Sequence, residues 1–160
     1  MLQSSDKFVL DEQDIRLLEA LQENATMTNL ELAEHIGMSP SATHTRVRRL
    51  EEGGYIDKRL TVLNRERLGF DMLCLIHVRL QTHQIAQIED FYKTVRESSQ
   101  VLECYHVTGE YDYVLKVALR NRVELRTFVL EQLTPIPFVA TVQTSIVFEE
   151  VKFTTALPLS

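Results

Sequence analysis

The sequence predicts an α+β chain in two parts: a helix-turn-helix unit, winged-helix-like in plan, then a βαββαβ sandwich of ferredoxin-like type. Two observations carry this. From Leu10 to Leu50 apolar residues recur at helical spacing, and each candidate helix opens on a side chain suited to cap it. From Leu73 onward, strand-like runs and amphipathic helices follow in the order β, α, β, β, α, β, with no repeat or low-complexity segment between them. The division falls between a helix-turn-helix domain with its linker, 1–63, and a second domain, 64–160.

The elements follow from their residues. Residues 1–9 read as a loose arm. Asp11 caps a helix to about Asn24, with Asp14 at N3, Leu10 able to staple to Ile15, and Ile15, Leu18 and Leu21, with Leu17 beside them, as the inner stripe. Asn24-Ala25-Thr26 breaks it. Thr28 opens the next helix as a capping box with Glu31, and Leu32 and Ile36 face the core. Gly37 can take the positive φ that ends this helix; Ser39 caps the third, with Pro40 at N1, where a missing N–H costs nothing. That third helix runs to Gly53-Gly54. Its Thr43, Val47 and Leu50 fall inward, while Ser41, Thr45, Arg48 and Arg49 fall outward with His44 at the edge. Hydroxyls, an imidazole and guanidinium groups on one face, with no acid between Gly37 and Leu50, suit a DNA major groove. The same pattern also fits an ordinary helical hairpin with a solvated outer face.

Tyr55 to Leu63 reads as a short hairpin, able to serve as a wing, or as an extended linker, and Asn64 to Gly69 as a closing turn of helix. Strands are expected over Leu73–Thr82, Val101–Thr108, Tyr111–Arg120 and Phe138–Phe153, and helices over Gln84–Ser98 and Val123–Thr134, stopped by Pro135 and Pro137. The helices cover one sheet face. Leu73–Leu80 and Thr144–Val151 carry apolar residues in both phases, so a partner is expected over the other face, most economically a second sheet.

Composition narrows the function. The 160 residues are 44% hydrophobic, enough for real cores, and the net charge is −6. Residues 38 to 50 nevertheless carry three arginines and no acid, so the local field opposes the global one. Cys74 and Cys104, the only cysteines, lie in apolar runs and read as buried free thiols. No metal-ligand spacing occurs, and neither metal nor cofactor is expected. The longest apolar run near the middle, Met72 to Ile76, is too short to span a bilayer, and no signal-peptide pattern opens the chain, so a soluble, cytoplasmic protein is expected.

Two blocks of residues then stand out. The first is Leu10-Asp11-x-x-Asp14-x-x-Leu17-Leu18-x-x-Leu21-Gln22, Asn29-x-Glu31-Leu32-Ala33-x-x-Ile36-Gly37-Met38-Ser39-Pro40 and Arg46-Val47-Arg48-Arg49-Leu50-Glu51-x-x-Gly54-x-Ile56. The second is Glu103-Cys104-Tyr105-His106-Val107-Thr108-Gly109-Glu110-Tyr111-Asp112-Tyr113-Val114-Leu115-Lys116-Val117, then Thr144-x-Ile146-Val147-x-Glu149-Glu150-Val151-Lys152. In this order and spacing the two blocks resemble the feast/famine regulators, the Lrp/AsnC family, and the resemblance spans roughly Leu10 to Leu159. It implies a transcription regulator with a winged or plain helix-turn-helix and a C-terminal sandwich that dimerises, assembles further to tetramers or octamers, and binds a small amino acid. Glu110 stands where the family often has Asp, and Asp57-Lys58-Arg59-Leu60 where it more often has a Gly-Tyr-type turn.

Within the first site, Arg48 is the expected base reader, since a guanidinium can bond guanine O6 and N7 together. Ser41, His44 and Thr45 are placed for base edges or thymine methyls, and Arg46 and Arg49 for phosphates, although Arg46 can equally pair with a nearby carboxylate. Ser39 at the helix start can present a backbone N–H to phosphate. The second site is Thr108-Gly109-Glu110-Tyr111-Asp112. It reads either as a plain hairpin turn or as amides converging on a carboxylate, with Asp112 holding an ammonium. Together these complement a free α-amino acid, and the resemblance puts the effector loop here. Thr144 and Ser145 can add hydroxyls or be ordinary strand residues. Val107, Val114, Ile136, Val142 and Ile146 make the neighbourhood apolar, which favours leucine or methionine over lysine, aspartate or asparagine. An enzyme lacks any nucleophile–base pairing or phosphate-cradling loop in this sequence. An oligomeric amino-acid sensor that never touches DNA is the other alternative, and the arginines from 46 to 49 argue against it.

Overall fold

The computed structural model describes residues 8–81 and 85–159. The arm before Phe8, the end of the first expected strand at Thr82 and the expected helix start at Gln84 lie outside the described residues.

Three helices open the chain: α1 Glu12–Glu23, α2 Asn29–Ile36 and α3 Pro40–Glu52. The first two carry reciprocal capping boxes. The Asp14 N–H donates to Asp11 Oδ1 at 2.9 Å and the Asp11 N–H to Asp14 Oδ2 at 3.2 Å. Thr28 and Glu31 exchange the same pair at 2.7 and 3.2 Å. Gly37 closes α2 at φ 73°, and Ser39 Oγ accepts from the Ala42 N–H at 3.3 Å to start α3. Leu17, Leu18 and Leu21 of the expected inner stripe of α1 are buried, while Ile15 is only half-buried. The reason is Asp14, which occupies the buried position one turn before Leu17 and Leu18 and is 0% exposed.

Among the described residues no strand forms between Gly54 and Asp71, so the extended linker is realised and the hairpin is not. Asn64 Oδ1 accepts the Arg67 N–H at 2.9 Å and starts the expected turn, which Gly69 closes at φ 80°.

The second half holds β1 Met72–Leu80, α4 Ile85–Glu97, β2 Val101–His106, β3 Tyr113–Leu119, α5 Arg122–Thr127 and β4 Val139–Ile146. The sheet is antiparallel throughout in the order β2-β3-β1-β4, the ferredoxin-like order. Asn121 Oδ1 accepts from the N–H groups of Val123 and Glu124 to begin α5. That helix widens into a π-helical turn over Phe128–Leu133, where a single α-helix to Thr134 was expected. Thr134 N–H donates to Val129 O, five residues back, and Pro135 cannot continue the ladder. Phe91, Val95, Phe128 and Leu133 pack on Cys74, Ile76, Val78, Tyr113, Leu115 and Val117, so both helical segments share one sheet face.

Strand β4 stops at Ile146, not at the expected Phe153. Val147 N–H still donates to Leu73 O at 2.9 Å, but β1 begins at Met72 and offers no further carbonyl to pair with. The chain therefore leaves the sheet. Its compact units are Met1–Val62 with Lys152–Ser160, and Leu63–Val151. The last residues, expected in the second domain, thus group with the first. Gln22 Nε2 donates to Leu157 O at 3.1 Å, Gln22 Oε1 accepts from the Leu157 N–H at 2.6 Å, and Leu159 packs at the edge of the three-helix core. Among the described residues no helix is long and apolar enough to cross a membrane.

Candidate DNA interface and effector loop

The outward face of α3 presents Ser39, Ser41, His44, Thr45 and Arg48, all exposed. Ser39 Oγ stays on its capping amide, with Ser41 Oγ 3.4 Å away. Thr45 Oγ1 donates back to Ser41 O at 3.0 Å, which leaves the hydroxyl oxygen able to accept. Arg48 Nε donates to Glu52 Oε1 at 2.7 Å, one helical turn on, and both side chains are more than 60% exposed.

Arg46 and Arg49 are differently employed. Arg46 Nη1 donates to Asp11 Oδ2 at 2.6 Å and to Asp14 Oδ1 at 2.8 Å. Arg49 Nη2 donates to Asp14 Oδ2 at 2.6 Å, and its guanidinium carbon lies 4.2 Å from the centre of the Phe8 ring. Both oxygens of a wholly buried carboxylate on α1 are therefore taken by arginines from α3. Arg46 takes the carboxylate option open to it from the sequence, for a physical reason: Asp14 is sealed from water and needs cationic donors. The hydrogen bond from Arg46 holds the Asp11 carboxyl below the usual carboxylate range, and Asp11 and Asp14 in turn raise the guanidinium of Arg46. Arg49 remains partly exposed, at 45%, and so keeps a surface to offer.

One basic residue escaped the sequence reading. Arg59, on the extended linker, reaches back so that its Nη2 donates to Glu51 Oε1 at 3.0 Å. Together with His44 and Arg48 it lines an open groove of about 720 Å³ beside the start of α2. The signal available was the basic pair Lys58-Arg59 directly after the three helices.

The loop joining β2 to β3 carries the second candidate site. Thr108, Gly109 and Glu110 are exposed, and Gly109 has φ 126°. The base of the loop is closed by the Val107 N–H to Asp112 O at 2.9 Å and the Asp112 N–H to Val78 O at 3.0 Å. Asp112 also accepts the Leu80 N–H on Oδ2 at 2.7 Å, at the irregularity between Arg79 and Leu80. Its carboxylate therefore braces the sheet, a role not anticipated from the sequence. Tyr111 lies against His77, ring centres 5.3 Å apart, and its hydroxyl donates to Gln143 Oε1.

Register separates residues the sequence had grouped. Thr144 pairs with Ile76, on the helix-covered face, whereas Ser145 pairs with Leu75 on the open face. The two hydroxyls cannot line one pocket from one strand. Likewise Val142 and Ile146 pair with Val78 and Cys74 on the covered side, while Val114 pairs with His77 on the open side. Val142 and Ile146 thus lie on the opposite sheet face from Val114, and the three share no wall within one chain.

Residues 73–157 match the family model of the Lrp/AsnC ligand binding domain, and residues 10–57 match that of a winged helix-turn-helix DNA-binding domain. The chain belongs to the Lrp/AsnC family. Transcriptional regulator AzlB of Bacillus subtilis (strain 168) is 36% identical over 151 residues, 94% of this chain and 96% of that protein. The leucine-responsive regulatory protein of Haemophilus influenzae is 33% identical over 150 residues, 94% of this chain and 90% of its own length. A crystal structure of a transcriptional regulator from Neisseria meningitidis in complex with L-Met superposes with a TM-score of 0.91 at 36% identity, covering 94% of this chain and 97% of that one. As a member of the Lrp/AsnC family, this chain is a DNA-binding transcriptional regulator with a ligand-binding domain, not an enzyme.

Proposed function

We propose that the regulator reads DNA with Ser41, His44, Thr45 and Arg48, and that a free amino acid, leucine or methionine, bound at the 108–112 loop alters its assembly in the cytoplasm. The observation that carries the DNA assignment is the exposed row of hydroxyl, imidazole and guanidinium groups on α3, beside two arginines already committed to Asp14. Arg48 is the base reader, because its present partner Glu52 is exposed and an exposed pair holds it only weakly. Ser39 and the free edge of Arg49 meet phosphate, whereas Arg46 acts through Asp11 and Asp14 by fixing α3 on α1.

For the effector, the tip amides at Thr108, Gly109, Glu110 and Tyr111 would take the carboxylate. Asp112 would take the ammonium while still accepting from Leu80, since a carboxylate offers about four acceptor positions. Ser145 on the open face is the better placed of the two β4 hydroxyls, and Thr144 is a strand residue. The preference for leucine or methionine rests on the relatives, one named as leucine-responsive and one solved with L-Met. The open sheet face, with Leu75, Val114 and Tyr105 on it, would pack against the same face of a second copy to form a homodimer, the unit of a tetramer or octamer.

A thermal-shift screen with the twenty amino acids tests the effector, because a ligand that binds only the native state raises its melting temperature. Leucine or methionine should shift it; a shift with a charged amino acid and with neither of these would reverse the assignment. Light scattering should show an even-numbered oligomer, with half-sites on DNA about 34 Å apart or a multiple of it. Arg48→Ala should lose about 1–3 kcal/mol of preference at one base pair in each half-site. An equal loss on specific and random DNA would show that it does not read a base.

A further inference from the structure

The groove beside α3 is walled by two ion pairs that bring acids into a basic face. Arg48 is held by Glu52 and Arg59 by Glu51, at 2.7 and 3.0 Å. Glu51 and Glu52 are the first acids after Gly37, placed where the basic run of α3 ends. The groove shares His44 and Arg48 with the DNA-reading face, so a duplex seated on α3 would bring its backbone to the groove's mouth. A carboxylate and a phosphate offer a guanidinium the same pair of oxygens.

We propose that Arg59 is a DNA-phosphate contact supplied by the linker, and that Glu51 occupies it in the unbound protein as a stand-in for that phosphate. The inference rests on the reading of α3 as the DNA-binding helix. Arg59 and Glu51 are 45% and 46% exposed, so their pair is weak and exchange of the carboxylate for phosphate costs the protein little. The exchange releases a condensed counterion from the duplex, which the internal pair cannot do. In a chain of net charge −6, two acids on the rim of the basic face hold back binding to random DNA while leaving the arginines in place for a well-seated site.

The test uses the full chain and a fluorescent 30-base-pair duplex of mixed sequence, with affinity followed over a salt series by anisotropy. Arg59→Ala should weaken binding up to about tenfold at low salt and lower the slope of log affinity against log salt by about 1 per protomer. Arg59→Lys should keep the slope, since a phosphate contact needs only the charge. Glu51→Gln should tighten binding severalfold through the freed Arg59, and Glu51→Gln with Arg59→Ala should lose that gain. Hydrogen exchange confirms that each variant keeps α1 to α3 folded. If the wild type and Arg59→Ala share one slope while Arg49→Ala lowers it, the assignment of Arg59 is overturned and the DNA reading stands. If the wild type shows no salt-dependent binding, both fall.

Discussion

The three-helix unit and the sheet unit bury different things beneath their helices. In the sheet unit the largest enclosed side chains are Tyr113, Phe91 and Phe128, and the one polar group among them, the Tyr113 hydroxyl, donates to the hydroxyl of Tyr92 at 3.3 Å. Burial and the neighbouring Tyr92 push that phenol well above its usual range, so it stays neutral. In the three-helix unit a full charge is enclosed: Asp14, at 0% exposure, on two arginines of α3. A sheet with two helical segments on one face has area enough to set its own packing by shape. Three short helices have less, and a directional ionic node fixes how α3 lies on α1 while apolar contact supplies the burial. That matters for the proposed function, because the same turns of α3 carry, on their other side, the side chains proposed to read DNA.

The largest expected effect breaks this contrast at its two centres. Asp14→Ala leaves Arg46 and Arg49 without their buried partner and should cost about 3–5 kcal/mol. Phe128→Ala should cost a similar 3–5 kcal/mol in the sheet unit through the cavity it opens. Hydrogen exchange should show the first variant losing protection in α1 to α3 alone and the second in β1, β3 and α5 alone. Loss across the whole chain from either substitution would mean that the two units fold as one.

The next effect concerns the brace at the proposed effector loop. Asp112→Ala removes the acceptor of the Leu80 N–H and should destabilise the sheet unit by about 1–3 kcal/mol, besides abolishing any thermal shift by leucine or methionine. Asp112→Asn keeps an oxygen for Leu80 and loses only the charge. It should hold stability near the wild type and still lose the effector response. A preserved response in Asp112→Asn would remove the ammonium role and leave the brace.

Most of the fold was legible because it rests on local rules. Caps at Asp11, Thr28 and Ser39, the left-handed Gly37 and the alternation of β1 all stand where the residues put them. What was not legible depends on contacts distant in sequence. Asp14 reads as a cap from its neighbours, and only α3, more than thirty residues on, shows that it is buried. The docking of Leu157 on Gln22 spans 135 residues, and no periodicity announces it. Thr144 and Ser145 look interchangeable as hydroxyls until the pairing with β1 puts them on opposite faces. The family blocks are what point to an effector at the 108–112 loop, while the residues alone leave it a possible plain turn.

A smaller effect follows from Asp11. Its folded carboxyl titrates below the ordinary carboxylate range, chiefly because Arg46 donates to it. Such a group contributes stability that is present above the unfolded pKa, near 3.8, and lost as pH falls through the lower folded value. The three-helix unit should therefore weaken in acid below about pH 4, and Asp11→Asn should flatten that limb of the curve while leaving the sheet unit's acid response unchanged. A limb of unchanged steepness in the variant would assign the acid sensitivity to other carboxylates.

The smallest effect on the fold is expected within a single helix. Arg46 and Arg48 stand two residues apart on α3, yet one is tied to a carboxylate with no exposure and the other to one that is 63% exposed. Arg48→Ala should change stability by no more than about 0.5 kcal/mol, because exposed pairs one helical turn apart contribute only a few tenths. Arg46→Ala leaves Asp14 with Arg49 as its remaining ionic partner and should cost several times more, with lost protection in both α1 and α3. Chemical denaturation of the two variants under one buffer reads the difference directly. Equal costs would mean that the node around Asp14 contributes no more than a surface pair, and the contrast between the two faces of α3 would be one of position only.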